Sequence, residues 1–265
     1  MITWLRVGFA VIVIVVVSLV LLPLQCLCLY FDWHLRRTLP RLWHRIICFA
    51  LGLRIRVHGR LESRRPLMLA ANHASWMDIM VLSAVADVAF IAKSEVRDWP
   101  IFGTLARLQK SVFIVRAEKR KTGNQVSEIA SRLADGEIMV LFPEGTTSDG
   151  NRLLEVKSSL FGAAAAAAPH SPTGAVVVQP VAIAYTGVHG VAMGRYYRPL
   201  AAWPGDIELW PHLKGVFACG AIDVDISFGE SVEYRADSNR KEVSATIAGR
   251  IRNLLLSRLR GREIA

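Results

Sequence analysis

The stretch "NHASWMD" (residues 72–78) places His73 five positions before Asp78, directly after the apolar run "PLMLAA". A carboxylate bonded to one ring nitrogen of an imidazole fixes its tautomer and stabilises the imidazolium, while the other nitrogen takes a proton. In one continuous α-helix five residues turn through about 500°, so the two side chains would diverge by about 140°. They meet only if His73 lies in the turn leaving a strand and Asp78 in the first turn of the next helix. This is the division of labour in a catalytic triad without its serine, and the chain contains no G-x-S-x-G elbow to supply one. The hydroxyl to be activated would then belong to another molecule. Taken alone, such a pair more often serves structure than chemistry. A metal site with Glu144 as an added ligand lacks a second local histidine.

A second cluster shifts that balance. "VLFPEGTTSDG" (residues 140–150) runs a strand into a turn that carries Glu144, Gly145, Thr146, Thr147 and Ser148. Backbone N–H groups and hydroxyls in such a turn can face an oxyanion or a polar headgroup. Between the clusters, "SVFIVR" ends on Arg116, a planar cationic clamp suited to an anion. Three strand ends with polar or charged residues fit a site at the carboxyl edge of a parallel sheet.

The elements needed to hold that edge are legible as alternating patterns. "LRIRVHG", "PLMLAA", "VAFIAK", "SVFIV", "EIMVLFPEG" and "AVVVQPVAIAY" read as strands. Between them "MDIMVLSAVA", "IFGTLARLQ", "TGNQVSEIASRLADG" and "SSLFGAAAAAA" read as helices, ending at features such as Gly136 and Pro169. The alternation predicts an α/β domain with a largely parallel sheet flanked by helices. Residues 187–220 have no clear period. "AIDVDISFGESV" alternates as an edge strand, and the basic tail predicts an amphipathic helix capped by Ser238 or Asp237.

The chain of 265 residues is 52% hydrophobic, and residues 7–31 carry no charge. Such a run can cross a hydrocarbon core of about 30 Å, or enter it and turn at Pro23. It is long for a signal peptide and lacks an A-x-A site. The next stretch, "DWHLRRTLPRLWHRIICFALGL", has apolar residues at helical spacing and predicts an amphipathic interfacial helix, with packing on the domain as the other way to bury that face. The predicted organisation is membrane-anchoring helices over residues 1–52 and a catalytic α/β domain over 53–265. The formal charge is +10, of which residues 1–65 hold +8, ten arginines against Asp32 and Glu62. This charge beside an apolar helix points to anionic lipid and to a cytoplasmic domain. No zinc-finger spacing or RNP-type signature supports a nucleic-acid partner. Cys26, Cys28, Cys48 and Cys219 form neither a disulfide framework nor a zinc site.

In order and spacing, "NHASWMD", "FIVR", "FPEGTTS" and "VQPVAIAY" resemble the four sequence blocks of the glycerolipid acyltransferases, over roughly residues 53–185. The subclass most similar is the bacterial 1-acyl-sn-glycerol-3-phosphate acyltransferases, which implies formation of phosphatidic acid at the cytoplasmic face of a bacterial inner membrane. The resemblance implies that His73 is the general base on a lysolipid hydroxyl and that Asp78 orients it. It implies that Arg116, Glu144, Gly145 and Thr146 hold the acceptor headgroup, and that Pro180 and its neighbours shape the acyl-donor side. The donor would be a thioester of acyl carrier protein or coenzyme A, with no metal or organic cofactor. Two positions depart from the pattern. Thr147 stands where an arginine often follows "FPEGT", and Val156 where an aromatic commonly precedes the lysine. Losing a bidentate phosphate partner raises a second acceptor, lyso-ornithine lipid, an aminolipid without phosphate. A membrane thioesterase using the same pair on water, or a non-catalytic lipid-binding protein, are the readings from other classes.

Overall fold

The computed structural model describes residues 2–114, 119–171, 173–205 and 207–261. Helix α1 (Ile2–Tyr30) is followed by a 3-10 turn at His34–Arg37 and by α2 (Leu39–Leu51). Pro40 sits in the first turn of α2, where its missing N–H breaks no helical bond. Gly52 ends α2 at φ 76°, and a β-carbon there would lie 1.9 Å from the Gly220 carbonyl oxygen. Only glycine meets both demands.

The strands are β1 (Leu53–His58), β2 (Leu67–Ala71), β3 (Val88–Lys93), β4 (Val112–Ile114), β5 (Ile138–Leu141), β6 (Ala175–Val188), β7 (Val191–Ala192), β8 (Ile222–Phe228) and β9 (Val232–Arg235). Among the described residues they form one sheet in the order β1-β8-β6-β2-β5-β3-β4, with β7 and β9 also pairing with β6. The β2, β3, β4, β5 and β6 block is parallel throughout. Direction reverses at β6, which meets β7, β8 and β9 antiparallel, so the sheet is mixed.

The helices are α3 (Met77–Val85), α4 (Phe102–Leu108), α5 (Lys119–Ala134), α6 (Gly162–Ala167), α7 (Leu209–Cys219) and α8 (Arg240–Leu259). Side-chain alternation sends each central strand into two cores. Leu67, Leu69 and Ala71 of β2 join Val181, Ile183 and Tyr185 of β6 under α3 and α2. Met68 and Ala70 join Val176, Val178 and Ala182 under α5, α6 and α8. Strands buried on both faces must be apolar at nearly every position, which is why β2 and β5 read as continuous runs.

α1 is long and apolar enough to cross a membrane, with residues such as Phe9, Ile12, Val16 and Leu19 exposed along it. It continues through Pro23 without turning there. Side chains join it to the domain along its length. Arg6 donates to the carbonyls of Phe217, Ala218 and Cys219 at the end of α7, the Trp43 indole donates to Ser18, and the Gln25 amide donates to Leu108 O. In α2, Leu39, Ile47, Cys48 and Leu51 are buried, whereas Phe49 is 77% exposed, so the helix packs on the domain and still presents apolar surface outward.

Two expectations are corrected. β8 is an interior strand between β1 and β6, buried at every position. Its alternating Asp223 and Asp225 mimic a wet face, but Asp225 is bonded to His58, Arg56 and Thr186, and Asp223 to the Gly190 N–H. Burial of carboxylates requires such partners, and they hold the Asp225 pKa below its ordinary value despite burial. The N-cap of α8 is Asn239, which accepts from Lys241 N, while Ser238 accepts from Arg235 N in the preceding turn.

Candidate active site

β2 stops at Ala71, and the next residue extends its pairing by side chain. The Asn72 amide donates to Ile183 O (3.0 Å) and accepts from Ile183 N (2.7 Å), tying the strand exit to β6. The chain then turns through residues 73–76 into α3, whose first turn carries Asp78, a position where the helix dipole favours a negative charge.

Asp78 is 0% exposed and has four donors. Its Oδ2 accepts from Ala74 N (2.7 Å), Ser75 N (2.9 Å) and His73 Nδ1 (2.8 Å). Its Oδ1 accepts from the Tyr185 hydroxyl (2.7 Å). A carboxylate has no proton to give, so Nδ1 must carry the imidazole hydrogen and Nε2 keeps its lone pair. Burial, then the neighbouring Asp78 charge, pushes the Tyr185 pKa well above its ordinary value and keeps the phenol a donor. The His73 ring stacks on Phe142 at 4.0 Å, with 18% of its side chain exposed. The imidazole is therefore clamped on one edge and one face, and open to the outside.

The second turn is joined to the first. Ser148 N donates to His73 O (2.8 Å), and Gly145, at φ 71°, provides the reversal between Phe142 and Ser148. Glu144 is 1% exposed and accepts from His73 N (2.6 Å) and Leu154 N (2.6 Å). Burial raises its pKa to about 7, opposed by those two amide bonds and by the His73 ring. With both oxygens occupied and almost no surface, Glu144 braces the two turns. Gly145 is likewise buried, whereas Thr146 is exposed beside Gly205. Arg116 lies outside the described residues. Pro180 is buried in β6 beside Gly229.

A third segment closes over the site. Trp203 N donates to Ala74 O (2.6 Å), and buried Arg198 donates to Tyr185 O, Met193 O and the Asn151 side chain. Sequence reasoning missed Tyr185 and Arg198. Tyr185 closes the quoted "VQPVAIAY", but no spacing rule links it to Asp78, 107 residues away.

A histidine held by a buried aspartate stands at the carboxyl edge of an α/β domain that carries a long apolar helix, an arrangement suited to general-base chemistry. The comparisons narrow the class. A family model described as "Acyltransferase" matches residues 54–184. The chain is 65% identical to a lyso-ornithine lipid O-acyltransferase of Rhizobium meliloti, over 99% of this chain and 90% of that one. It is 55% identical to the protein of the same name from Brucella abortus, over 100% and 99%. The crystal structure of the 1-acyl-sn-glycerophosphate acyltransferase of Thermotoga maritima superposes with a TM-score of 0.67 at 23% identity, covering 99% and 98%, and shares the fold. This chain belongs to the lysolipid acyltransferase family.

Proposed function

We propose that the enzyme moves a fatty acyl group from a thioester of acyl carrier protein or coenzyme A to the free hydroxyl of lyso-ornithine lipid, at the cytoplasmic face of the inner membrane. The observation that carries the acceptor is the 65% identity along nearly the whole chain to a relative of that name. Thr147 in place of a phosphate-clamping arginine supports the same reading. Lysophosphatidic acid, put first by the sequence blocks, becomes the second acceptor.

In the proposed reaction His73 Nε2 removes the proton of the acceptor hydroxyl as its oxygen attacks the thioester carbonyl. Asp78 stabilises the resulting imidazolium across the 2.8 Å bond to Nδ1. Collapse of the tetrahedral intermediate breaks the C–S bond, and the imidazolium proton goes to the departing thiolate. The products are an ester and a free thiol, and His73 is neutral again. The exposed apolar face of α1 supports membrane association of the chain, and the arginines that follow it support a cytoplasmic domain.

The test is incubation of the purified enzyme with acyl-carrier-protein or acyl-coenzyme A thioester and either lyso-ornithine lipid or lysophosphatidic acid, with products weighed by mass spectrometry. Ornithine lipid should form at the higher kcat/KM. Phosphatidic acid as the dominant product would overturn the acceptor assignment, and release of free fatty acid alone would overturn transfer.

A further inference from the structure

The edge of the sheet opposite the dyad holds a second site. A cavity of about 220 Å³ opens where β3 and β5 begin, between the 3-10 turn after α1 and the turn before β2. Arg36, Arg37, Arg65, Lys110 and Arg132 line it, against the carboxylates of Asp87 and Glu137. The pairing does not use up this charge. Glu137 is shared among Arg132 (2.5 Å), Arg37 (3.7 Å) and Lys110 (3.7 Å), and Asp87 is 3.9 Å from Arg41. Arg36 pairs with exposed Asp32 outside the cavity. Arg65 has no ion-pair partner within 4.0 Å among the described residues and donates only to the carbonyls of Glu62 and Arg64. The side chain of Arg36 is 13% exposed, and its Nε is buried without an acceptor. The lining thus keeps a net positive charge, five cations against two carboxylates, and both Arg36 Nε and Asp87 Oδ1 are buried without a hydrogen-bond partner among the described residues.

The location gives the ligand its chemistry. The cavity lies at the end of α1, and Tyr30, Phe31, Trp33 and Leu35 are exposed beside it, Phe31 and Trp33 stacked at 5.4 Å. Exposed aromatics at the end of an apolar helix mark the depth of lipid headgroups. Planar guanidinium groups at that depth suit phosphate oxygens, which they bind through paired N–H donors. Five strand residues of β2 separate Arg65 from the turn bearing His73, a span of roughly 17 Å, so this is not the acceptor's place at the dyad.

We infer that this cavity is a phosphate-binding site, filled by the headgroup of an anionic phospholipid of the surrounding membrane or by free phosphate. The test uses the full chain in neutral detergent micelles and follows thermal stability while phosphatidylglycerol, phosphatidylcholine or inorganic phosphate is titrated in. Phosphatidylglycerol should raise the melting temperature and phosphatidylcholine should not. The concentration for half the shift should rise at least tenfold in Arg37→Gln/Arg65→Gln. A charge-matched control on α8, Arg240→Gln/Arg252→Gln, should respond like the parent. A response to inorganic phosphate that lipid does not increase would support the site and assign it to the free ion. A parent that responds to neither, a cavity variant that responds like the parent, or a control that loses the response equally would overturn the site. Acyl transfer in neutral micelles should stay within twofold in the cavity variant, because no altered residue touches the dyad.

Discussion

Asp78→Asn separates the charge of the dyad from its geometry. The amide oxygen can occupy the Oδ2 position and keep the donors from His73 Nδ1, Ala74 N and Ser75 N. The amide NH2 then faces the Tyr185 hydroxyl, which can turn its proton away and accept. The fold and the imidazole tautomer should therefore survive, and what disappears is the negative charge opposite the imidazolium. With charge centres about 4 Å apart and an effective dielectric constant near 20, that attraction is worth about 4 kcal/mol. Its loss from the transition state should lower kcat by about a thousandfold. Steady-state transfer at saturating acceptor measures kcat, and thermal denaturation checks the fold. A well-folded variant that keeps more than a tenth of the parental kcat would refute the charge argument. In Asp78→Asn/Tyr185→Phe the amide NH2 loses its acceptor, and an orphaned buried donor should cost about 1–3 kcal/mol of stability that the single Asn variant retains.

Other outcomes follow from the same geometry. His73→Ala should abolish transfer while the protein stays folded and membrane-bound, as read by acyl transfer and membrane flotation, and normal transfer would end the mechanism. Glu144→Gln keeps one acceptor and sets an NH2 against a backbone N–H, so denaturant titration should show a loss of about 1–3 kcal/mol. Its pH dependence carries a definite sign. The folded-state pKa is about 7, above the ordinary 4.5, so between these values the folded chain holds a proton that the unfolded chain has released. Stability from this group falls as pH rises through that window, by on the order of 3 kcal/mol, and the slope should vanish in Glu144→Gln. Arg116→Ala should raise KM for the acceptor more than it lowers kcat if the arginine supplies uniform headgroup binding, and a dominant kcat loss would reassign it.

What was readable along the chain was what neighbouring residues decide among themselves. Apolar runs of four to seven residues name β2, β5 and β6 because strands covered on both faces can hold little else. His73 and Asp78 could be placed at a strand exit and a helix start because a five-residue separation permits contact in no continuous helix. Polar residues in strands were read less well. Asp223 and Asp225 looked solvent-facing because the groups that neutralise them stand on β1, on β6 and in the β6–β7 turn.

By itself, then, the sequence determined the alternation of elements, the apolar N-terminal helix and the presence of a His–Asp pair without a G-x-S-x-G elbow. Tertiary structure decided which groups that pair depends on. Tyr185 reaches Asp78 across 107 residues because β6 lies beside β2, and Glu144 becomes a brace because two turns bring their amides to it. The same folding gathers Arg36, Arg65 and Arg132 at one cavity. A buried carboxylate is stable only among donors, and in this chain most of those donors come from distant segments, so only the folded chain shows where they meet.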